Sequence, residues 1–436
     1  MMLFAAVLLA VPLLAASGPV SESHSHPTKR KLAARWYHGN DHPVHALFRR
    51  GPTDGVAYAP IGSETWSASF PSSTPDAESL PKPWVDALNI AIQGGKIPDI
   101  PESSRDPGKN PKYPTGFDPN GEQVCSSTYQ CRIAGDHWDG PEGTFASSFD
   151  DGPLPDTDSL VAFLQENKVK TTHFMIGTNI LQYWHQFLTA FNAGDDIAVH
   201  TYTHPYMTTL SNTDVVAQLG WTMQLIHNST GGRVPRFFRP PYGDSDSRVR
   251  AIAKEVFALE TVIWNQDTED WSLGAGGTTI EEVGTQMDSW LSGPKSPGLV
   301  ILEHEDSTDA VTCFKNAFPK IVAKGWKFVS LAQLLGNGQA YQNSNDADSE
   351  VKPEGILSGL LNTTNITMAK TLVSSSSGTP TSQPEAAAPT VGNLANSQAP
   401  TTFNSAASVW ERSSSLIWIF ATALGASVMT AVTLWV

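Results

Sequence analysis

A chain of 436 residues with a formal net charge of −15 is a poor partner for nucleic acid or an anionic membrane surface, because its own field repels both. Its Gly and Pro crowd outside the middle of the chain, so the ordered part is expected to be smaller than the length alone allows.

Residues 1–17 (MMLFAAVLLAVPLLAAS) form an apolar run ending in small residues, the pattern of a secretory signal cut near Ser17, although no Lys or Arg precedes it. Residues 18–140 are rich in Pro, Ser, Gly and charge and show little periodicity. They read as an extended leader with one short helix over 83–93, and carry dibasic pairs at Lys29-Arg30 and Arg49-Arg50 that suit processing.

The pattern changes over 141–337. Apolar runs at 144–149, 172–176, 197–199, 236–239, 259–265, 299–303 and 327–330 predict seven strands. Segments of helical spacing separate them, at 158–168 (with Asp158 as cap), 179–192, 213–228, 245–257, 279–291 and 313–323. Such alternation implies an α/β fold with a parallel sheet, and closure into a (β/α) barrel would remove its edges.

Residues 338–403 read as a Ser/Thr/Pro-rich stalk, most biased over 374–402. Sequons at Asn228, Asn362 and Asn365 suit a secretory route. Residues 404–436 combine a small-residue cluster (Asn404-Ser405-Ala406-Ala407), a polar spacer and an apolar tail from Leu416 to Val436 without a basic residue. That order is a glycosylphosphatidylinositol anchor signal, with Asn404 or Ser405 as the attachment residue; a plain membrane span is the rival. A secreted protein held at the cell membrane or cell wall is therefore expected. In that compartment the three cysteines, Cys125, Cys131 and Cys313, should give one disulfide and one leftover thiol; spacing does not choose, and a bridge to Cys313 would tie the domain's entry to its end.

Asp150-Asp151, His200, Arg239, 267–270 and His304 each follow an apolar run. In α/β barrels the strand C-termini share one face, so these distant residues should meet at one mouth. His200 and His204, four apart, can share a metal; with one carboxylate they leave positions open for water and substrate, as a catalytic site requires. Alone, an HxxxH pair is more often hydrogen-bonded or surface histidine, Asp-Asp-Gly-Pro is more often a turn, and a strand-end His is often a cap. Their common placement raises the functional reading: a metal bound by one aspartate and two histidines, with His304 as an acid across the mouth. Trp138, Trp184, Tyr206 and Trp271 are candidates for stacking on sugar, while His137, His173, His185 and His227 lack ligand spacing and read as structural or surface.

The strings Ser148–Pro153 (SFDDGP), His200–His204 (HTYTH), Arg239–Gly243 (RPPYG), Asp267–Trp271 (DTEDW) and Leu302-Glu303-His304 resemble, in order, the five motifs of the NodB-type polysaccharide deacetylases, carbohydrate esterase family 4. The resemblance covers about residues 143–335, departs at Ser148 where Thr is commoner, and with the anchor signal is nearest to the fungal chitin deacetylases. It implies a NodB homology domain, a distorted (β/α) barrel of about seven parallel strands, in which Asp151, His200 and His204 hold one divalent metal, zinc with cobalt as the alternative. Asp150 would be the base, oriented by Arg239, and His304 the acid, tuned by Asp270. The Tyr242 N–H would bind the oxyanion, while Trp271 and Leu302 line the acetyl slot. The implied substrate is chitin or its oligosaccharides, giving chitosan and acetate in wall remodelling. Another acetylated polysaccharide, or an inactive wall polysaccharide-binding protein, would be the alternative; a metal-free glycoside hydrolase would instead need carboxylates flanking a glycosidic bond.

Overall fold

The computed structural model describes residues 51–359. The signal, the stalk beyond residue 359, Asn362, Asn365, Asn404, Ser405 and the apolar tail lie outside the described residues. Within them, no helix is long and apolar enough to cross a membrane.

The strands are β1 (Thr144–Asp150), β2 (Thr172–Met175), β3 (Asp196–Val199), β4 (Phe237–Phe238), β5 (Glu260–Thr261), β6 (Gln266–Asp267), β7 (Leu299–Leu302) and β8 (Lys327–Ser330). All pair in parallel, in the order β5-β4-β3-β2-β1-β7-β6, with β8 sharing the first half of β1. Every residue of β1, β2, β3 and β7 is buried. Strands covered on both faces must be apolar or internally bonded throughout, which is why they read as continuous runs.

The run 259–265, expected as one strand, is divided. β5 pairs with β4 through Phe238 and Thr261, whereas β6 pairs with β7 through Asp267 and Leu302. Between them the Ile263 N–H turns to the His137 carbonyl and the Asn265 N–H to that of Val300. One stretch of chain therefore joins both ends of the sheet, and this switch of partners is what distorts the barrel.

The helices are α1 (Glu64–Ser67), α2 (Lys82–Gln93), α3 (Thr157–Glu166), α4 (Gly177–Gln182), α5 (Trp184–Ala193), α6 (Asn212–Ser229), α7 (Ser247–Phe257), α8 (Ile280–Ser292), α9 (Thr308–Ala323) and α10 (Leu331–Leu335). Ser211, Asp246, Thr279 and Ser307 accept N–H groups in the first turns of α6 to α9, fixing where those helices start. Asp158 is not the cap expected of it: it lies inside the first turn of α3, which no side chain caps. The helix expected over 179–192 breaks at Tyr183 into α4 and α5.

Two expected boundaries move outward. From Gly51 the leader is folded onto the domain: Trp66, Trp84 and Leu88 join the cluster formed by α6 and α7. The Trp66 Nε1–H donates to Ser229 at 2.9 Å, and Trp84 packs edge-on to Trp221 and Phe257. Trp84, Leu88 and Ala91 form the buried stripe of α2, the helix expected over 83–93, whereas Trp66 has no such pattern around it. At the other boundary, Tyr341 is fully buried and its hydroxyl accepts the Ile197 N–H, so residues 338–359 belong to the fold and not to a stalk. Arg233, also buried, donates to the carbonyls of Pro52, Ala347 and Ser349, clamping both added segments together. Cys125 and Cys131 form the disulfide, leaving Cys313 free and buried, so no bridge ties the domain's entry to its end.

If the leader is part of the fold, Trp66→Ala should cost about 3–5 kcal/mol of unfolding free energy. Urea unfolding checks this, and a loss below about 1 kcal/mol would mean that the segment merely lies on the surface.

Candidate metal centre and active site

Asp150 ends β1 and Asp151 leaves it with φ +71, so adjacent carboxylates point apart. Asp150 Oδ1 receives the Arg239 Nη1–H at 2.6 Å, both side chains being buried. Asp151 Oδ1 instead lies 3.2 Å from the Nε2 atoms of both His200 and His204.

The histidines are held on a turn, not a helix. Gln218 of α6 accepts the N–H groups of Tyr202 and Thr203 and donates to the Thr203 hydroxyl. Thr201 and His204 take positive φ, and the Thr201 hydroxyl accepts the His204 N–H. His200 Nδ1 donates to the Arg239 carbonyl at 2.8 Å, which fixes the proton there and leaves the Nε2 lone pair toward Asp151.

Donor atoms of Asp151, His200 and His204 lie within 4.8 Å of one another. Asp151 Oδ1 is buried without a hydrogen-bond partner, facing two imidazole nitrogens. Burial alone would raise the Asp151 carboxyl, but the His204 and His200 rings, as cations, outweigh it and hold it well below the usual carboxylate range, and a divalent ion seated between neutral rings would meet the same demand for positive charge. An orphaned carboxylate oxygen between two ring nitrogens fits a divalent ion, and the mixed N/O set suits zinc or cobalt better than calcium or magnesium.

Across the mouth, the Asp270 carboxylate takes both the backbone N–H of His304 at 2.9 Å and its Nδ1 at 2.6 Å, leaving Nε2 for substrate. Burial opposes a charged His304 ring, yet Asp270, with smaller contributions from Asp151 and Asp150, lifts its pKa to about 10. A divalent cation sharing that field would draw the value back toward neutrality.

Tyr242, also at positive φ, is 43% exposed and meets His204 edge-on at 4.6 Å. Trp271 is 58% exposed, while Leu302 is buried at the end of β7, its carbonyl accepting the Thr268 hydroxyl. Tyr206 stacks on Tyr242. Trp138 and Trp184 are not sugar platforms: the first is buried, and the second packs into the leader-side cluster against Gly62. Asn228 sits in the last turn of α6, half-buried and bonded to Gln224, and Ser229 of its sequon is buried.

Sequence reasoning missed the floor of this site. Glu305, next to His304, is fully buried and bonded to His173 Nδ1 at 2.7 Å, while His173 Nε2 faces Asp195 at 3.4 Å. Glu305 presses so closely on Gly152 that a Cβ there would lie 2.0 Å from its Oε1. His173 is thus structural, as expected, but it anchors the loop carrying Asp150 and Asp151. The one available signal was Glu305 standing beside His304.

A model of the polysaccharide deacetylase family matches residues 138–257. Chitin deacetylase 3 of Cryptococcus neoformans is 39% identical over 334 residues, spanning 75% of this chain and 79% of that protein. Chitin deacetylase 1 of Saccharomyces cerevisiae is 33% identical over 257 residues, spanning 58% of this chain and 79% of that protein. The solved chitin deacetylase of Colletotrichum lindemuthianum is 23% identical, with a TM-score of 0.44 over 48% of this chain and 96% of that one.

Burial opposes protonation of His173, but Glu305 and Asp195 lift its pKa from 6.5 to about 10. A raised folded-state pKa contributes stability that is full below the unfolded value and is lost as pH rises through the folded one. Between pH 6.5 and 10, wild-type stability should therefore fall toward that of His173→Gln, which at pH 6.5 is lower by about 3–5 kcal/mol. Urea unfolding of both proteins across that range is the check; parallel pH profiles would show that the histidine carries no charge in the fold.

Proposed function

Because the chain belongs to the polysaccharide deacetylase family, we propose that it hydrolyses the N-acetyl groups of chitin, releasing acetate and leaving chitosan, at a divalent-metal centre held by Asp151, His200 and His204. The observation that carries this is the orphaned Asp151 oxygen between two oriented imidazoles, with Asp150–Arg239 and His304–Asp270 beside it.

Amide hydrolysis at neutral pH needs a stronger nucleophile than water and a protonated leaving amine. Bound at the three ligands, the cation would supply Lewis acidity that lowers the pKa of a coordinated water and polarises the acetyl carbonyl. Asp150, its Oδ1 held by Arg239, has Oδ2 free to take the proton from the attacking water. His304 keeps Nδ1 on Asp270 and delivers a proton from Nε2 to the departing amine. The Tyr242 N–H is assigned to the developing oxyanion, and Leu302 with Trp271 to the walls around the acetyl methyl. Zinc is the metal proposed, on ligand type, with cobalt next. The apolar ends, the sequons and the Ser/Thr/Pro-rich stretch support a secreted, surface-anchored glycoprotein acting on wall polysaccharide.

Acetate release from N-acetylglucosamine oligomers should stop in excess chelator and return on adding zinc. His200→Ala should lose metal, measured by calorimetry, together with activity. Asp150→Asn and His304→Gln should bind metal but turn over about 10²–10⁴-fold more slowly. Activity that persists in chelator, or in His200→Ala, would overturn the metal mechanism.

A further inference from the structure

The rim of the mouth is completed by a residue outside the motif-bearing strings. The Ser103 N–H donates to the Thr208 carbonyl at 2.9 Å, and the two hydroxyls lie 2.7 Å apart. Thr208 donates in turn, through its N–H and hydroxyl, to buried Asp244, the residue after Gly243. A bridge between Ser104 and Lys112 closes the loop above this base. Arg105 is thereby placed with its guanidinium 4.0 Å over the Tyr206 ring. Tyr206 stacks on Tyr242 at 3.9 Å and 4°, and Tyr242 meets His204. Four planar groups therefore run outward from a metal ligand to an exposed cation.

Among the described residues that cation has no carboxylate partner. The carboxylate beside it in sequence, Asp106, is taken by Lys112 at 3.1 Å. Among the described residues no carboxylate oxygen lies within 4.0 Å of Arg105, whereas Arg132, Arg236, Arg239 and Arg250 are all paired. The Tyr206 ring occupies one side of the guanidinium and holds it at the rim.

We propose that Arg105 is a specificity-determining residue that sits against the sugar ring next to the one being deacetylated, favouring a neutral N-acetylated neighbour over one already deacetylated. This rests on the deacetylase reading above. A neutral ring offers hydroxyl and acetamide oxygens to the guanidinium; a glucosamine ring brings an ammonium group. Two like charges several ångströms apart in a partly solvated cleft separate the two ligands by about three- to tenfold. Successive reactions are then steered away from sugars just modified, spacing the product amines along the polymer.

The test uses the metal-loaded full chain with tetramers of N-acetylglucosamine, either fully acetylated or carrying one glucosamine beside the reporting acetyl group. Wild type should prefer the first by about three- to tenfold in kcat/KM, less so in concentrated salt. Arg105→Ala should bring the ratio near one, Arg105→Glu should invert it, and Arg105→Lys should keep its sign. An unchanged ratio in Arg105→Glu, or one indifferent to salt, overturns the proposal. Tryptophan-fluorescence titrations of the same tetramers with Asp150→Asn, with and without Arg105→Glu, read the preference without turnover. If no oligomer releases acetate yet the binding preference still inverts, the deacetylase reading fails and Arg105 keeps its role; if binding does not respond, Arg105 loses it.

Discussion

A guanidinium with no access to solvent must be answered from inside the protein, and Arg239 is answered by the residue that stands as the base. Its side chain gives Nη1 to Asp150 at 2.6 Å, and its ring-facing side rests 4.3 Å from Phe174. Its backbone carbonyl, meanwhile, takes the Nδ1 proton of His200. One residue at the exit of β4 thus orients the base through its side chain and fixes the tautomer of a metal ligand through its main chain. Removing the guanidinium would leave the buried Asp150 carboxylate without its one close cationic partner, and such losses are severe.

Around that pair the backbone departs from relaxed geometry. Among the described residues ten non-glycine residues have positive φ, and five of them, Asp151, Thr201, His204, Tyr242 and Glu269, fall within the motif strings. Each costs on the order of 1–3 kcal/mol, which the surrounding packing has to over-determine. At Asp151 the purpose is visible: without the reversal after β1, its carboxylate would not turn away from that of Asp150. Glu305 supplies part of the restraint from behind, against a Gly152 that has no Cβ to hold it off.

Much of this was legible in the chain. The buried strands are apolar runs, and the polar residues that interrupt them at their ends lie where a parallel barrel opens. Asp150-Asp151, His200, Arg239 and His304 could therefore be placed at one mouth before any distance was known. What escaped had specific causes. The run 259–265 looks like one strand because nothing local records that its two halves pair with different neighbours. Trp66 stands among small and polar residues, and even the apolar face of α2 does not say which surface it covers; both depend on grooves formed by α6 and α7, far away in sequence. A buried glutamate such as Glu305 is spelled like an exposed one; only the meeting of β1, β2 and the exit of β7 shows that it is enclosed. The motif resemblance named the site residues, but it could not reach Arg105, which lies outside the matching strings.

The clamp at Arg233 bears on how the molecule presents itself. Arg233 lies just before β4, and the segment it gathers packs against the start of β3, where the Ile197 N–H meets the Tyr341 hydroxyl. Ser358, near the end of the described chain, bonds to the Val256 carbonyl in the last turn of α7. All three contacts lie at the pole where strands begin, whereas the metal ligands lie where strands finish. The folded body is thus entered and left from the pole opposite its mouth. A polymer lying across the mouth would therefore meet neither end of the described fold.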